Sequence, residues 1–154
     1  MKRIYPFKVN SGTITGLCFS LTLVTLLGCS ISTPGGKKMQ VEVDVFSGRP
    51  NPQWNLTAQE ADEFVKLFQA LPQHKGESSV QEGLGYRGLI VTKPGENIQG
   101  YNEILISQGL VVARRNSQSK QFTDKGRGLE RWLFQTGRGR LDESLYQQIG
   151  TQIK

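Results

Sequence analysis

The sequence predicts an α+β domain in which a small, mostly antiparallel sheet of three to four strands is covered by about three helices. Three observations carry this expectation. Residues 41–46 alternate Val41, Glu42, Val43, Asp44, Val45, Phe46, which puts the three valines on one face at the two-residue period of a strand. Ala61, Phe64, Val65, Phe68 and Leu71 recur at the 3.6-residue spacing of an amphipathic helix. The elements then run strand, helix, two or three strands, helix, helix, the segregated order of an α+β domain. The first two strands lie about forty residues apart around a helix, so a parallel pairing through a crossover is also open.

Each element has local reasons. After the first strand, Pro50 and Pro52 fix backbone angles and withhold two amide donors, so residues 47–54 read as a rigid turn. Thr57 followed by Glu60 matches a capping box at the start of the first helix, and Pro72 closes it. Residues 73–82 are polar and read as a loop. Residues 86–92 return to an extended, β-branched pattern that ends in the turn-forming Lys93-Pro94-Gly95-Glu96-Asn97. The apolar runs 98–107 and 110–114 flank Gln108-Gly109, which makes either a hairpin or a bulge in one long strand. Thr123 or Asp124 caps a helix carrying Leu129, Trp132 and Leu133, with Gly137 at its stop. Asp142 caps a last helix on Leu145, Tyr146, Ile149 and Ile153.

The N-terminal region decides which residues belong to that domain. Lys2, Arg3 and Lys8 precede an uncharged run, residues 12–27, that falls short of the roughly 20 apolar residues needed to span a bilayer. A basic stretch before a short apolar run is the pattern of a secretory signal. The run ends Leu26-Leu27-Gly28-Cys29, which resembles the lipobox of bacterial lipoprotein signals. That resemblance implies export, a diacylglycerol carrying palmitate on the Cys29 thiol, and cleavage before Cys29. It divides the chain into a signal peptide (1–28), a lipidated tether (29–40) and a single domain (41–154). Ser30 after the cysteine is similar to lipoproteins forwarded to an outer membrane. The implied location is the cell envelope, lipid-anchored in the cell membrane or outer membrane and facing away from the cytoplasm.

Removal of residues 1–28 changes the arithmetic. The whole chain has 19 basic and 13 acidic side chains, a formal +6; without Lys2, Arg3 and Lys8 the charge is +3. Cys18 leaves with the signal, so the exported domain has no disulfide and no free thiol nucleophile. One histidine, His74, provides neither a His-Cys metal cage nor a zinc-protease motif, and no cofactor or metal is expected.

Residues 43–54 read Val-Asp-Val-Phe-Ser-Gly-Arg-Pro-Asn-Pro-Gln-Trp, and residues 83–88 read Gly-Leu-Gly-Tyr-Arg-Gly. The chain thereby resembles an uncharacterised family of small bacterial proteins with the phrase VDVFSGRPNPxW and a later G-x-x-Y-R-G stretch. The resemblance implies no activity, catalytic residue or cofactor. Read physically, the stiff turn exposes Arg49 and Asn51, whose guanidinium and amide suit a carboxylate, phosphate or sugar, with Trp54 beside them as a stacking surface. The structural alternative pairs Arg49 with an internal acid, spends Asn51 on turn backbone and packs Trp54 into the core.

A second candidate is the basic segment 114–140, in which Arg114, Arg115, Lys120, Lys125, Arg127, Arg131, Arg138 and Arg140 face only Asp124 and Glu130, a local +6. Such a patch suits an anionic envelope polymer or a protein partner; the alternative is a solubilising surface. Arg138 and Arg140, flanked by glycines, are its expected contact residues. Export makes nucleic acid a poor partner. No nucleophile motif is present, but Glu42 and Asp44 share a strand face. The sequence therefore supports a lipid-anchored binding or structural module, with a weak carboxylate-dependent hydrolase of envelope glycan as the alternative.

Overall fold

The computed structural model describes residues 37–76 and 85–153. The charge-free run, the lipobox and Cys29 lie outside the described residues. Among the described residues, no helix is long and apolar enough to cross a membrane.

The alternating valines form β1 (Gln40–Asp44), followed by β2 (Gln53–Asn55), α1 (Ala58–Gln69), β3 (Gly88–Thr92), β4 (Glu103–Ser107), β5 (Leu110–Arg115) and β6 (Gln118–Thr123). A short 3-10 turn, Lys125–Arg127, leads into α2 (Gly128–Gln135), and α3 (Glu143–Gly150) closes the domain. The α+β class and the three α-helices match the sequence reading. The sheet is larger than expected, with six strands in the order β2-β1-β3-β4-β5-β6 rather than three to four.

Two strands account for the difference. β2 sits where the prolines suggest only a turn. It is a three-residue edge strand, and the Pro52 carbonyl accepts from the Val43 amide at 2.9 Å, so the missing proline donors leave no gap in the ladder. β6 (Gln-Ser-Lys-Gln-Phe-Thr) lacks an apolar alternation because most of its side chains face solvent; its pairing with β5 from Leu110↔Thr123 to Arg115↔Gln118 carries it instead. The parallel crossover is also overturned, since β1 pairs antiparallel to β3 with Val41 opposite Val91. Gln108 and Gly109 close a two-residue hairpin at φ 51° and 85°, the positive-φ pair of a type I′ turn.

The register places Val41, Val91, Ile104 and Ala113 in one row and Val43, Leu89, Ile106 and Val111 in the next, all completely buried. The helices cover this face. Phe64 and Phe68 descend from α1, Leu129 and Leu133 from α2, and Tyr146 and Ile149 from α3. Burying a large apolar side chain contributes about 1.5–3 kcal/mol, so these layers supply the main stabilisation of the sheet. Met39, two residues before the expected domain start, is already buried and accepts the Leu56 amide on its carbonyl.

The helix caps are local. Thr57 and Glu60 close the capping box reciprocally at 3.2 and 2.8 Å. Asp124, rather than Thr123, serves α2: its buried carboxylate accepts from the Leu129 and Glu130 amides at 3.0 Å each, reaching past the intervening turn. Asp142 accepts from Leu145 at the start of α3, and the Ser144 hydroxyl together with that amide holds its pKa below the ordinary value.

Candidate functional site

The two phrases of the sequence fold onto each other. Asn51 turns its side-chain oxygen to the Val45 and Phe46 amides at 3.1 and 2.8 Å, while its amide nitrogen donates to Glu42 at 2.9 Å and Asp44 at 3.3 Å. Arg87 closes the other side of Asp44 through two nitrogens and also donates to the Phe46 carbonyl at 3.0 Å. The neighbouring Tyr86 enters the core and donates to Glu130 at 2.8 Å. Glu130 is completely buried and also takes two hydrogen bonds from Arg127, at 2.7 and 3.0 Å. Burial, followed by the adjacent Glu130 charge, pushes the Tyr86 hydroxyl far above its ordinary pKa, so it stays a proton donor. Gly88 completes the phrase for steric reasons. At φ 146° an added Cβ would lie 2.7 Å from the Ile106 carbonyl oxygen.

The expected ligand-facing residues of this loop are placed as follows. Asn51 is spent on the turn. Arg49 is exposed and lies over the Phe46 ring, 3.5 Å from guanidinium carbon to ring centroid, rather than against an internal acid. Trp54 is buried, and its indole N–H donates to the Thr136 hydroxyl at 2.9 Å. Glu42 and Asp44 share the outer sheet face as their spacing requires, and both are engaged by Asn51. His74 is half-buried with its Nδ1 2.9 Å from the Thr123 hydroxyl. Among the described residues, no group of three or more His, Cys, Asp or Glu side chains stands together as a metal site.

The basic segment does not form one patch. Arg114 pairs with Glu103 at 2.5 Å, Arg127 with buried Glu130, and Arg140 with Glu60 at 2.9 Å. Arg140 also donates to the Asn55 carbonyl at 3.0 Å, which ties the loop before α3 to β2 and α1. Burial alone would raise the Glu60 pKa, but the hydrogen bonds from Arg140 and Thr57 outweigh it and the net shift is downward.

Two of the unmatched cations, Arg131 and Arg138, gather between α2 and α3. A groove of about 380 Å³ there is lined by Arg131, Arg138, Phe134, Tyr146, Gln147 and Thr151, among others, and no acidic side chain lines it among the described residues. Its floor is the stacked pair Phe134 and Tyr146, 4.5 Å between centroids and 7° from parallel. The Arg138 guanidinium stands 5.7 Å from the Tyr146 centroid. Among the described residues neither Arg131 nor Arg138 makes an ion pair, and both are exposed. Sequence reasoning counted Arg131 only as charge and Tyr146 only as core. The available signal was that Arg131 stands two residues before Leu133, on the opposite side of α2, while Arg138 follows the helix in the turn after Gly137. Compared with known protein families, curated proteins and solved structures, the chain finds no match in any of the three.

Proposed function

We propose that the chain is a membrane-anchored envelope lipoprotein whose folded domain is a binding module, with the α2–α3 groove as the site for an anionic ligand. The anchor reading rests on the lipobox-like Leu26-Leu27-Gly28-Cys29. The groove reading rests on one observation: among the described residues Arg131 and Arg138 line a concave surface without an acidic side chain, whereas Arg114, Arg127 and Arg140 of the same segment each pair with one. Two guanidinium forks beside an aromatic floor suit a carboxylate or phosphate attached to a small apolar group, because charge-assisted bonds to guanidinium are roughly twice as strong as neutral ones. The envelope polymer or protein that supplies this group is the proposed partner.

The hydrolase alternative requires two acids converging on a cleft. Glu42 and Asp44 instead share the Asn51 amide on the sheet face, and neither lines the groove, so binding is the better-supported reading. Two experiments test it. Labelled fatty acid should enter the wild-type protein and not Cys29→Ser. The protein should bind an anionic matrix and elute at lower salt when Arg131 and Arg138 are both changed to Glu; identical elution would refute the groove.

A further inference from the structure

We infer that the end of the sheet where the chain enters β1 is a second interaction surface, built to lie against an anionic lipid leaflet. This inference rests on the lipid-anchor reading and is independent of the groove.

The register gathers cations that are far apart in sequence. Asn55, Gln40, Thr92, Glu103, Arg114 and Ser119 form the last row of the sheet at this end. Lys37 and Lys38 lie just before β1, and the Lys37 ammonium packs on the β3–β4 turn, 2.5 Å from where a Cβ on Gly95 would stand. Arg115 follows Arg114 at the end of β5, with its guanidinium beside Gly100 in the same inter-strand connection. Lys120 is one row further in, opposite Ala113. Of the acids placed at this end, Glu96 is matched by Lys93 and Glu103 by Arg114, both at 2.5 Å, and Glu60, beside Asn55, by Arg140 at 2.9 Å. Lys37, Lys38, Arg115 and Lys120 are exposed and make no ion pair among the described residues.

Chain length makes this end the relevant one. Lys37 follows Cys29 by eight residues, which reach at most about 29 Å even when fully extended. A lipid on Cys29 therefore keeps these cations close to the headgroups, where approach within the screening length of about 8 Å turns on the attraction. The far end of the sheet, where Asp44 is matched by Arg87 and Arg49 lies over Phe46, is the end that the tether does not enter.

The test uses the full chain on vesicles of phosphatidylcholine alone or with about one-third phosphatidylglycerol, the anionic share that sets the surface potential. On lipidated protein, acetylation of Lys37, Lys38 and Lys120 should slow on the anionic vesicles relative to the neutral ones and recover at raised salt, while Lys125, beside the β4–β5 hairpin at the other end, labels equally on both. Equal labelling of Lys120 on the two vesicle types overturns the inference. Failure of the anchor reading has a separate signature, absence of fatty acid from the protein. The face is then tested on the unlipidated Cys29→Ser chain, whose partition onto anionic vesicles should fall about fivefold for each of Arg115→Gln and Lys120→Gln. Arg131→Glu with Arg138→Glu should leave the effect of those two changes intact. Partition that ignores Arg115 and Lys120 overturns the face.

Discussion

The loop that joins β1 to β2 and the groove between α2 and α3 both present arginine and amide side chains, but they use them in opposite ways. In the loop, Asn51 makes four hydrogen bonds, Arg87 takes up Asp44, and Tyr86 beside it takes up Glu130. The phrase that looks most like a recognition motif is thus largely an internal fastening. In the groove, two guanidiniums stand beside an aromatic floor with no acidic side chain paired to them among the described residues. Residue type is the same in both places. The difference is whether folding brings a partner, and variants can break or sharpen that contrast.

The largest effect is expected at Glu130. Glu130→Ala leaves the Tyr86 hydroxyl and the Arg127 guanidinium without their carboxylate, and breaking a buried pair typically costs about 3–5 kcal/mol. Arg127 is one-fifth exposed on its side chain, which lets water in and places the expected loss near the lower bound, about 3 kcal/mol. Urea unfolding measures it. A loss no larger than that of an ordinary surface substitution would show that this fastening contributes little.

Asn51→Ala comes next. It strips the Val45 and Phe46 amides of their acceptor and leaves Glu42 beside Asp44 without the shared donor, for an expected loss of about 2 kcal/mol. Arg49→Ala, whose side chain only lies over Phe46, should cost much less, about 0.5 kcal/mol. Equal losses for the two would erase the distinction between the buried and the exposed half of the loop.

Arg140 belongs with the fastenings although its sequence context groups it with Arg138. Arg140→Gln should cost about 1 kcal/mol, since its partner Glu60 and the pair as a whole remain partly in water. It should also change the response to acid. A carboxyl whose folded pKa is lowered contributes stability above its unfolded value, and that contribution disappears as pH falls through the folded value. The wild type should therefore lose stability on acidification below the ordinary glutamate value of 4.5, and Arg140→Gln should lose less over the same interval. Parallel curves would remove the Glu60–Arg140 pair from the account.

How much of this was legible in the sequence varies by element and for physical reasons. The cap of α1, the helical faces and the β1 alternation were readable because each is a local pattern, as with Thr57 and Glu60 three residues apart. β6 was not, because Gln118–Thr123 is polar and is held by its register with β5. β2 was masked by its prolines. The polar pairings were not readable either: Arg87 meets Asp44 across 43 positions, and Arg140 meets Glu60 across 80. Charge counting along residues 114–140 gave a single +6 patch, whereas the fold sends Arg115 and Lys120 to one end of the sheet, Arg131 and Arg138 to the groove, and Arg127 and Arg140 into ion pairs.

The smallest effect on stability is expected where the effect on binding is greatest. Arg131 and Arg138 are exposed and unmatched, so changing both to Glu removes no internal contact beyond the edge of Arg138 over Tyr146, and stability should move by less than about 0.5 kcal/mol. The groove, however, would change from two positive charges to two negative ones. An anion that had bound there would meet repulsion, and retention on an anionic matrix should fall. A conservative control separates charge from shape: Arg131→Lys with Arg138→Lys keeps the net charge but gives up the planar fork, so it should retain salt-dependent attraction while losing discrimination between a carboxylate ligand and a diffuse anionic matrix. If the lysine pair and the arginine pair behave alike toward both, the groove acts through charge alone and the aromatic floor of Phe134 and Tyr146 is only packing. If the glutamate pair instead unfolds the domain, these arginines belong with Asn51 and Arg140 among the fastenings, and the contrast between the two regions disappears.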